Sequence, residues 1–462
     1  MKGETDYPSG GVWIRDPLVS WDPIDGETRD AGVVVKDGLI VERVALGATP
    51  VTPIQSTFDA RSLVLVPGLI NTHHHFYQTL TRAHRTALNK PLFPWLQSLY
   101  PVWSRLTPEM IDLSTRLAAV ELMLSGCSTA VDHHYVFPPG LEDAIDLQAQ
   151  AMTEIGMRAV LTRGSMSLGE SAGGLPPDCV VQEHNAILRD SERLIDRWHD
   201  PKDQAMCQIV LAPCSPFSVT TELMRDTSEL ARRRGVLLHT HLAETEDENN
   251  FCLDTFGMRP VDYMESCDWL NERAWYAHGI HFCDAEIKRL GDAGCGVTHC
   301  PSSNMLLASG VCRVAELEQA GVRVGLGVDG SASNDGSNMI QEVRQAFLIQ
   351  RLASQLSGSD ANPVSHVDAL RWATSGSAEL IKRPELGRIA EGAAADIALF
   401  SLDEPRFSGS EDPLAALVLC GAQRVHTLLV SGEFRVCDSQ PVGVDLAALQ
   451  AAHQKAAQAL WA

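Results

Sequence analysis

Between about residues 67 and 385 the chain repeats one unit: a short apolar run that closes on a polar residue, followed by an amphipathic stretch. The runs are 63–70, 128–133, 158–163, 208–213, 236–241, 275–278, 296–299 and 322–329. One unit shows the logic. Thr107 stands where an N-cap is needed and Pro108 at the first helical position, and the helix they open ends at Ser125-Gly126. Eight strand–helix units in sequence predict a (β/α)8 barrel. The alternative is a doubly wound open sheet, but no glycine-rich phosphate fingerprint supports it.

Both ends of the chain have a different texture. Residues 11–66 and the segments 395–400 and 425–436 are β-like, with Lys36-Asp37-Gly38 as a hairpin turn between β-branched runs. The expected organisation is one small β domain assembled from both ends, 1–66 and 386–462, the latter with a terminal helix, around a barrel over 67–385. At 462 residues and 45% apolar content, the chain has ample material for such a core.

The polar residues that close the runs carry the chemistry. In a barrel, the C-terminal strand ends form one rim where active groups collect. Here those ends hold His73 and His75, His133 and His134, His241, His278, His299 and Asp329. Alternate strand residues share a face, so His73 and His75 can offer both imidazoles to one point, whereas His74 faces the other way. An exposed polar loop is the alternative for these three, and the downstream groups decide against it. Glu244, three residues beyond His241, can turn back beside anything His241 coordinates. Asp329 adds a hard oxygen donor and a second catalytic proton acceptor. Three imidazoles, a carboxylate and a water suit one divalent ion, Zn²⁺ or Fe²⁺, with a position left open for catalysis. His239 shares the face of His241, and either a core role or a site role fits it.

Charge and cysteine content narrow the function classes. A net charge of −22 argues against nucleic acid as a partner. Twelve scattered cysteines without a Cys-x-x-Cys pair read as reduced, buried small residues. The first residues have no apolar targeting core, and no run is long enough to cross a membrane, so a soluble cytoplasmic protein is expected.

The motifs Asn71-Thr72-His73-His74-His75, His241-Leu242-Ala243-Glu244, Ala277-His278, His299-Cys300-Pro301-Ser302-Ser303-Asn304 and Gly327-Val328-Asp329-Gly330 resemble those of the amidohydrolase superfamily. The resemblance extends over essentially the whole chain. It implies a distorted barrel with a β-sandwich made from both termini. It also implies metal ligation by His73, His75, His241 and Asp329, and proton handling by Glu244 and His278. Two-metal members use a carboxylated lysine from the fourth strand. This chain has only seven lysines and carries Ala212-Pro213-Cys214-Ser215 there, so one metal is expected, as in the cytosine- and guanine-deaminase branch. Oligomers, commonly dimers, are usual in the family.

Within that branch, the runs 73–83, 163–167, 174–178, 212–218 and 329–336 are similar to those of 8-oxoguanine deaminases, which implies hydrolysis of 8-oxoguanine to uric acid and ammonia. Isoxanthopterin, guanine and triazine aminohydrolases are the alternatives, and a catalytically silent scaffold is disfavoured because every ligand is kept. Substrate contacts are expected from loops past the strands: Gln78, Tyr135, Arg163 and Cys214. A long loop over 88–106 is expected to bring Trp103 against a planar base, with Trp95 packed in the loop's own core.

Overall fold

The computed structural model describes residues 11–356 and 363–462. Eight parallel strands form its centre: β1 (Leu69–Asn71), β2 (Cys127–Asp132), β3 (Arg158–Ser165), β4 (Cys207–Pro213), β5 (Leu238–Leu242), β6 (Ala274–His278), β7 (Gly296–His299) and β8 (Arg323–Leu326). Each pairs in parallel with the next. The Thr72 amide donates to the Leu326 carbonyl at 3.0 Å, which returns the last strand to the first. The weak joint is between β4 and β5, where Leu211 and Leu238 form the registered pair. That slack distorts the barrel beside the Cys214 carbonyl.

The floor of the barrel is closed. Ile70, Val131, Val160, Val210 and Trp275, from five strands, pack with Ala378, Leu380, Ile381 and Leu386 in one buried cluster. With apolar side chains filling this end, polar groups can gather only at the strands' C-terminal ends.

The apolar run 63–70 is split between two sheets. Leu63–Pro67 pairs antiparallel with Ile397–Ser401 in a seven-stranded sheet, and only Leu69–Asn71 belongs to the barrel. Pro67-Gly68 makes the break. A β-carbon at Gly68 would lie 2.5 Å from Ser128 Oγ, so no other residue brings the chain this close to β2. The seven-stranded sheet draws on both ends of the chain. It faces a four-stranded sheet made from N-terminal strands alone. Val12, Ile14, Val33, Leu65, Ile397, Leu399 and Leu429 form the core between the two.

Local signals in the sequence settle several elements. The helix Pro108–Leu124 starts where expected, with Thr107 Oγ1 accepting from the Met110 amide at 3.3 Å. Asp37 and Gly38 adopt left-handed φ values of 51° and 79°, as a two-residue hairpin turn needs. The expected loop over 88–106 is instead largely a helix, Leu92–Trp103. Its Leu92, Trp95, Leu96 and Tyr100 recur at helical spacing and turn one face towards the barrel mouth.

The terminal helix Leu446–Trp461 docks on the barrel side. Trp461 Nε1 donates to the Leu80 carbonyl at 2.7 Å, and His453 Nε2 lies 3.0 Å from Thr79 Oγ1. It thereby buttresses the 3-10 turn Phe76–Thr81 that carries Gln78. All twelve cysteines are free. Among the described residues, no helix is long and apolar enough to cross a membrane.

Candidate metal centre and active site

The rim gathers His73, His75, His241, Glu244, His278 and Asp329, every one buried. Three strand exits leave in a left-handed backbone conformation at non-glycine residues: Ala243 at φ 53°, His278 at 75° and Asp329 at 61°. Such φ values are costly and cluster where function fixes them.

Hydrogen bonds settle the tautomer of each imidazole. A carbonyl only accepts, so the His239 Nδ1–H donates to the Trp275 carbonyl at 3.0 Å. Burial holds His239 down to about 3, hence neutral, and its bare Nε2 accepts from the His73 Nδ1–H at 2.8 Å. In the same way the His75 Nδ1–H donates to the His133 carbonyl at 2.6 Å, and the His241 Nδ1–H to the Cys214 carbonyl at 2.7 Å. This leaves the Nε2 lone pairs of three rings free.

Those lone pairs converge. His75 Nε2 lies 3.2 Å from His241 Nε2, and Asp329 Oδ1 lies 3.2 Å from Nε2 of both His73 and His75. Burial keeps His73 and His241 well below the usual histidine range. Neutral nitrogens and a carboxylate oxygen crowded without a positive charge repel one another. A tetrahedral ion with bonds of 2.0–2.1 Å separates its donors by about 3.3 Å, close to the spacing observed. The donor set therefore fits one divalent metal ion.

His133 also brings a ring nitrogen within 4.8 Å of those of His73 and His241. Its Nε2–H is spent on the Ala212 carbonyl at 2.9 Å, however. The set with His75 and Asp329 adds an anionic oxygen to the imidazoles, which makes it the better centre for a cation. His74 turns away, as its place on the strand predicts. Its Nδ1 accepts from the His75 amide and its Nε2–H donates to Ser337 Oγ at 2.8 Å.

Around the centre lies a layer of supporting groups, several of them from the motif 299–304. Ser303 and Ser333 donate to Asp329 Oδ2 at 2.6 and 3.1 Å, and Asn304 Oδ1 accepts from the His278 Nδ1–H at 2.9 Å. Ser303 and Asn304 share the helix Pro301–Leu306, which Glu342 pins through the Ser302 amide and hydroxyl at 2.8 and 2.7 Å. The bare His278 Nε2 lies 3.5 Å from Glu244 Oε2. Burial, reinforced by the Asp329 carboxylate, drives the Glu244 carboxyl well above its usual range.

Above these groups opens a cavity whose lining includes His75, His241, Glu244, His278 and Asp329. Gln78, Tyr135 and Cys214 also line it, together with Trp95, Tyr100, Phe217 and Ser333. Gln78 crosses beneath Gly330, where a β-carbon would lie 1.9 Å from its Oε1, so only glycine leaves it room. Two expected contacts do not line the cavity. Trp103 is buried behind it, donating to Thr81 Oγ1 at 3.1 Å. Arg163 spends its donors on Asp190 at 2.6 Å, Gln182 at 2.8 Å and the Gly164 carbonyl, under the Phe137 ring. Tyr100, the third aromatic of the segment 88–106 and also able to meet a planar base, does line the cavity, and its hydroxyl is buried and makes no hydrogen bond. The helical spacing of Leu92, Leu96 and Tyr100 was the signal for that shared face.

The same architecture is found in known proteins. A family model described as the amidohydrolase family matches residues 64–435. An 8-oxoguanine deaminase from Pseudomonas aeruginosa is 59% identical over 449 residues, covering 97% of this chain and 99% of that protein. An isoxanthopterin deaminase from an unidentified prokaryote is 36% identical over 87% of this chain and 86% of its own length. Among solved structures, the atrazine chlorohydrolase of Arthrobacter aurescens TC1 complexed with zinc superposes with a TM-score of 0.92 at 31% identity, covering 96% of this chain and all of that one. A nearly closed parallel barrel, imidazoles and a carboxylate converging at its strand ends and a match across most of the sequence lead to one conclusion: the chain belongs to the amidohydrolase family.

Proposed function

We propose that this chain is a metal-dependent aminohydrolase that converts 8-oxoguanine and water to uric acid and ammonia. The observation that carries the substrate is the 59% identity to the P. aeruginosa 8-oxoguanine deaminase, which spans almost all of both chains. The site supports the reaction class.

In this reading His73, His75, His241 and Asp329 hold one divalent ion, zinc by preference, whose Lewis acidity makes water acidic enough to attack near neutral pH. Glu244 moves the proton. Its raised pKa suits a group that takes a proton from the attacking water and passes it to the ring nitrogen beside the amino-bearing carbon. The water oxygen bonds to that carbon as the ring nitrogen gains its proton. His278, its Nε2 bare because Asn304 takes the Nδ1–H, accepts a hydrogen bond from the attacking water and orients it. Asp329, the other carboxylate beside Glu244 and His278, is the second proton acceptor of the site in this reading. A second proton moves to the amino group, the C–N bond breaks, and ammonia leaves. Gln78, Tyr100, Tyr135 and Cys214 are positioned to meet the polar edges of the ring, while Trp95 and Phe217 provide flat apolar surface. We further read the protein as a cytoplasmic homo-oligomer, on the family resemblance.

The test is ammonia release by the metal-loaded protein over a panel of 8-oxoguanine, guanine, isoxanthopterin and triazines. Turnover highest on 8-oxoguanine, with uric acid as product, is expected. Faster turnover of isoxanthopterin would overturn the substrate.

A further inference from the structure

The reaction as drawn leaves one buried carboxylate beside the site without a task. Glu248 is fully buried at the start of the helix Glu246–Phe256, whose N-cap residue Thr245 supplies no side-chain cap. Its two oxygens reach back over the preceding turn. Oε1 accepts from the Ala243 amide at 2.8 Å and Oε2 from the Glu244 amide at 3.2 Å. From the other side, the Ala243 carbonyl accepts from the Ile280 and His281 amides, each at 2.9 Å. The alanine so gripped is the residue at φ 53°.

The Glu244 side chain has few other holds: the Ser309 hydroxyl stands beside its carboxyl, and its Oε2 is 3.5 Å from His278 Nε2. Its position is therefore set chiefly by the backbone from which it projects. Released, Ala243 would relax to the right-handed or extended region, since left-handed backbone is unfavourable for an L-residue with a β-carbon. Rotation there would swing the Glu244 carboxylate away from His278.

We propose that Glu248 is a positioning residue for proton transfer: it holds Ala243 in the left-handed conformation that aims Glu244 at the reacting atoms. The inference rests on the reading of Glu244 as the proton carrier. A plain helix cap would stabilise the fold and leave turnover per folded chain untouched. A positioning residue acts on kcat while the ion and the substrate pocket stay in place.

The experiment uses the full-length, metal-loaded protein with Glu248→Gln, which keeps one acceptor, and Glu248→Met, which keeps neither at similar volume. Expected are an unchanged metal content, a KM within about twofold, and a kcat lowered about 10-fold in E248Q and about 100-fold in E248M. A kcat per metal-loaded chain within about twofold of the parent in E248Q, with only Tm lowered, would overturn the proposal and leave Glu248 a helix cap. E248Q is nearly isosteric and keeps the test open if E248M does not fold. Glu244→Gln is the control. If it turns over like the parent, the reading of Glu244 falls. If it is silent while E248Q is unaffected, the positioning role alone falls.

Discussion

His73 Nδ1 lies 2.8 Å from His239 Nε2, and His239 Nδ1 lies 3.0 Å from the Trp275 carbonyl oxygen. This chain of donors fixes which nitrogen of His73 is bare and where it points. Outer partners of metal-binding imidazoles raise their basicity and fix their orientation. His239→Ala should therefore weaken metal binding about 10- to 100-fold, read by competition with a chromophoric chelator. Retention of parental affinity would mean that packing alone orients His73.

Glu244→Gln keeps the shape of the side chain and removes its capacity to carry a proton. Metal content measured by elemental analysis should be unchanged, while kcat falls about 10²- to 10⁴-fold. Near-parental turnover would exclude Glu244 as the proton carrier.

Asn304 acts through His278, whose Nδ1–H it accepts at 2.9 Å. Asn304→Leu leaves that N–H buried without a partner, which costs about 1–3 kcal/mol and frees the ring to turn. A drop in kcat of about 10-fold or more is expected, with the metal retained. Unchanged steady-state kinetics would show that the imidazole needs no such support.

The buried Tyr100 hydroxyl, unpartnered in the protein, should find its partner on the substrate. Burial keeps this phenol well above its usual range, so it remains a donor at any pH the enzyme meets. Tyr100→Phe should lower kcat/KM for 8-oxoguanine by about 10- to 100-fold, the value of one hydrogen bond in a dry site, while apolar analogues lose little. An equal loss on every ring compound tested would point to packing instead.

Asp132 links stability to pH. It is fully buried, accepts from the Phe76 amide at 2.6 Å and from Gln148 Nε2 at 2.7 Å, and burial pushes it up to about 7. The unfolded group ionises near 4, so between about 4 and 7 the folded state binds the extra proton and stability falls as pH rises. Asp132→Asn removes that dependence. Denaturant unfolding at pH 5 and pH 8 should show the variant gaining on the parent by up to about 2.5 kcal/mol. A gap that does not change with pH would place the Asp132 pKa at an ordinary value.

The sequence by itself determined the barrel class, the helix beginning at Thr107-Pro108 and the polar residues that stand at the strand ends. Each of these depends on short-range regularities. Alternation along a strand separates His73 and His75 from His74, and capping chemistry marks a helix start, wherever the segment later packs. The tertiary structure decided the rest, because periodicity assigns a face and leaves its neighbour open. The continuous apolar run 63–70 could not reveal that Pro67-Gly68 hands it from a sandwich sheet to the barrel. Trp103 and Tyr100 sit on one helix, and only the packing of that helix sends the tyrosine to the cavity and the tryptophan behind it. Arg163 looked free at a strand end until Asp190 and Gln182, distant from it in sequence, took up its donors. His239 gained its role the same way, when folding set it between His73 and the Trp275 carbonyl. Whether a polar group is spent or available depends on partners that only the folded chain brings within hydrogen-bond reach.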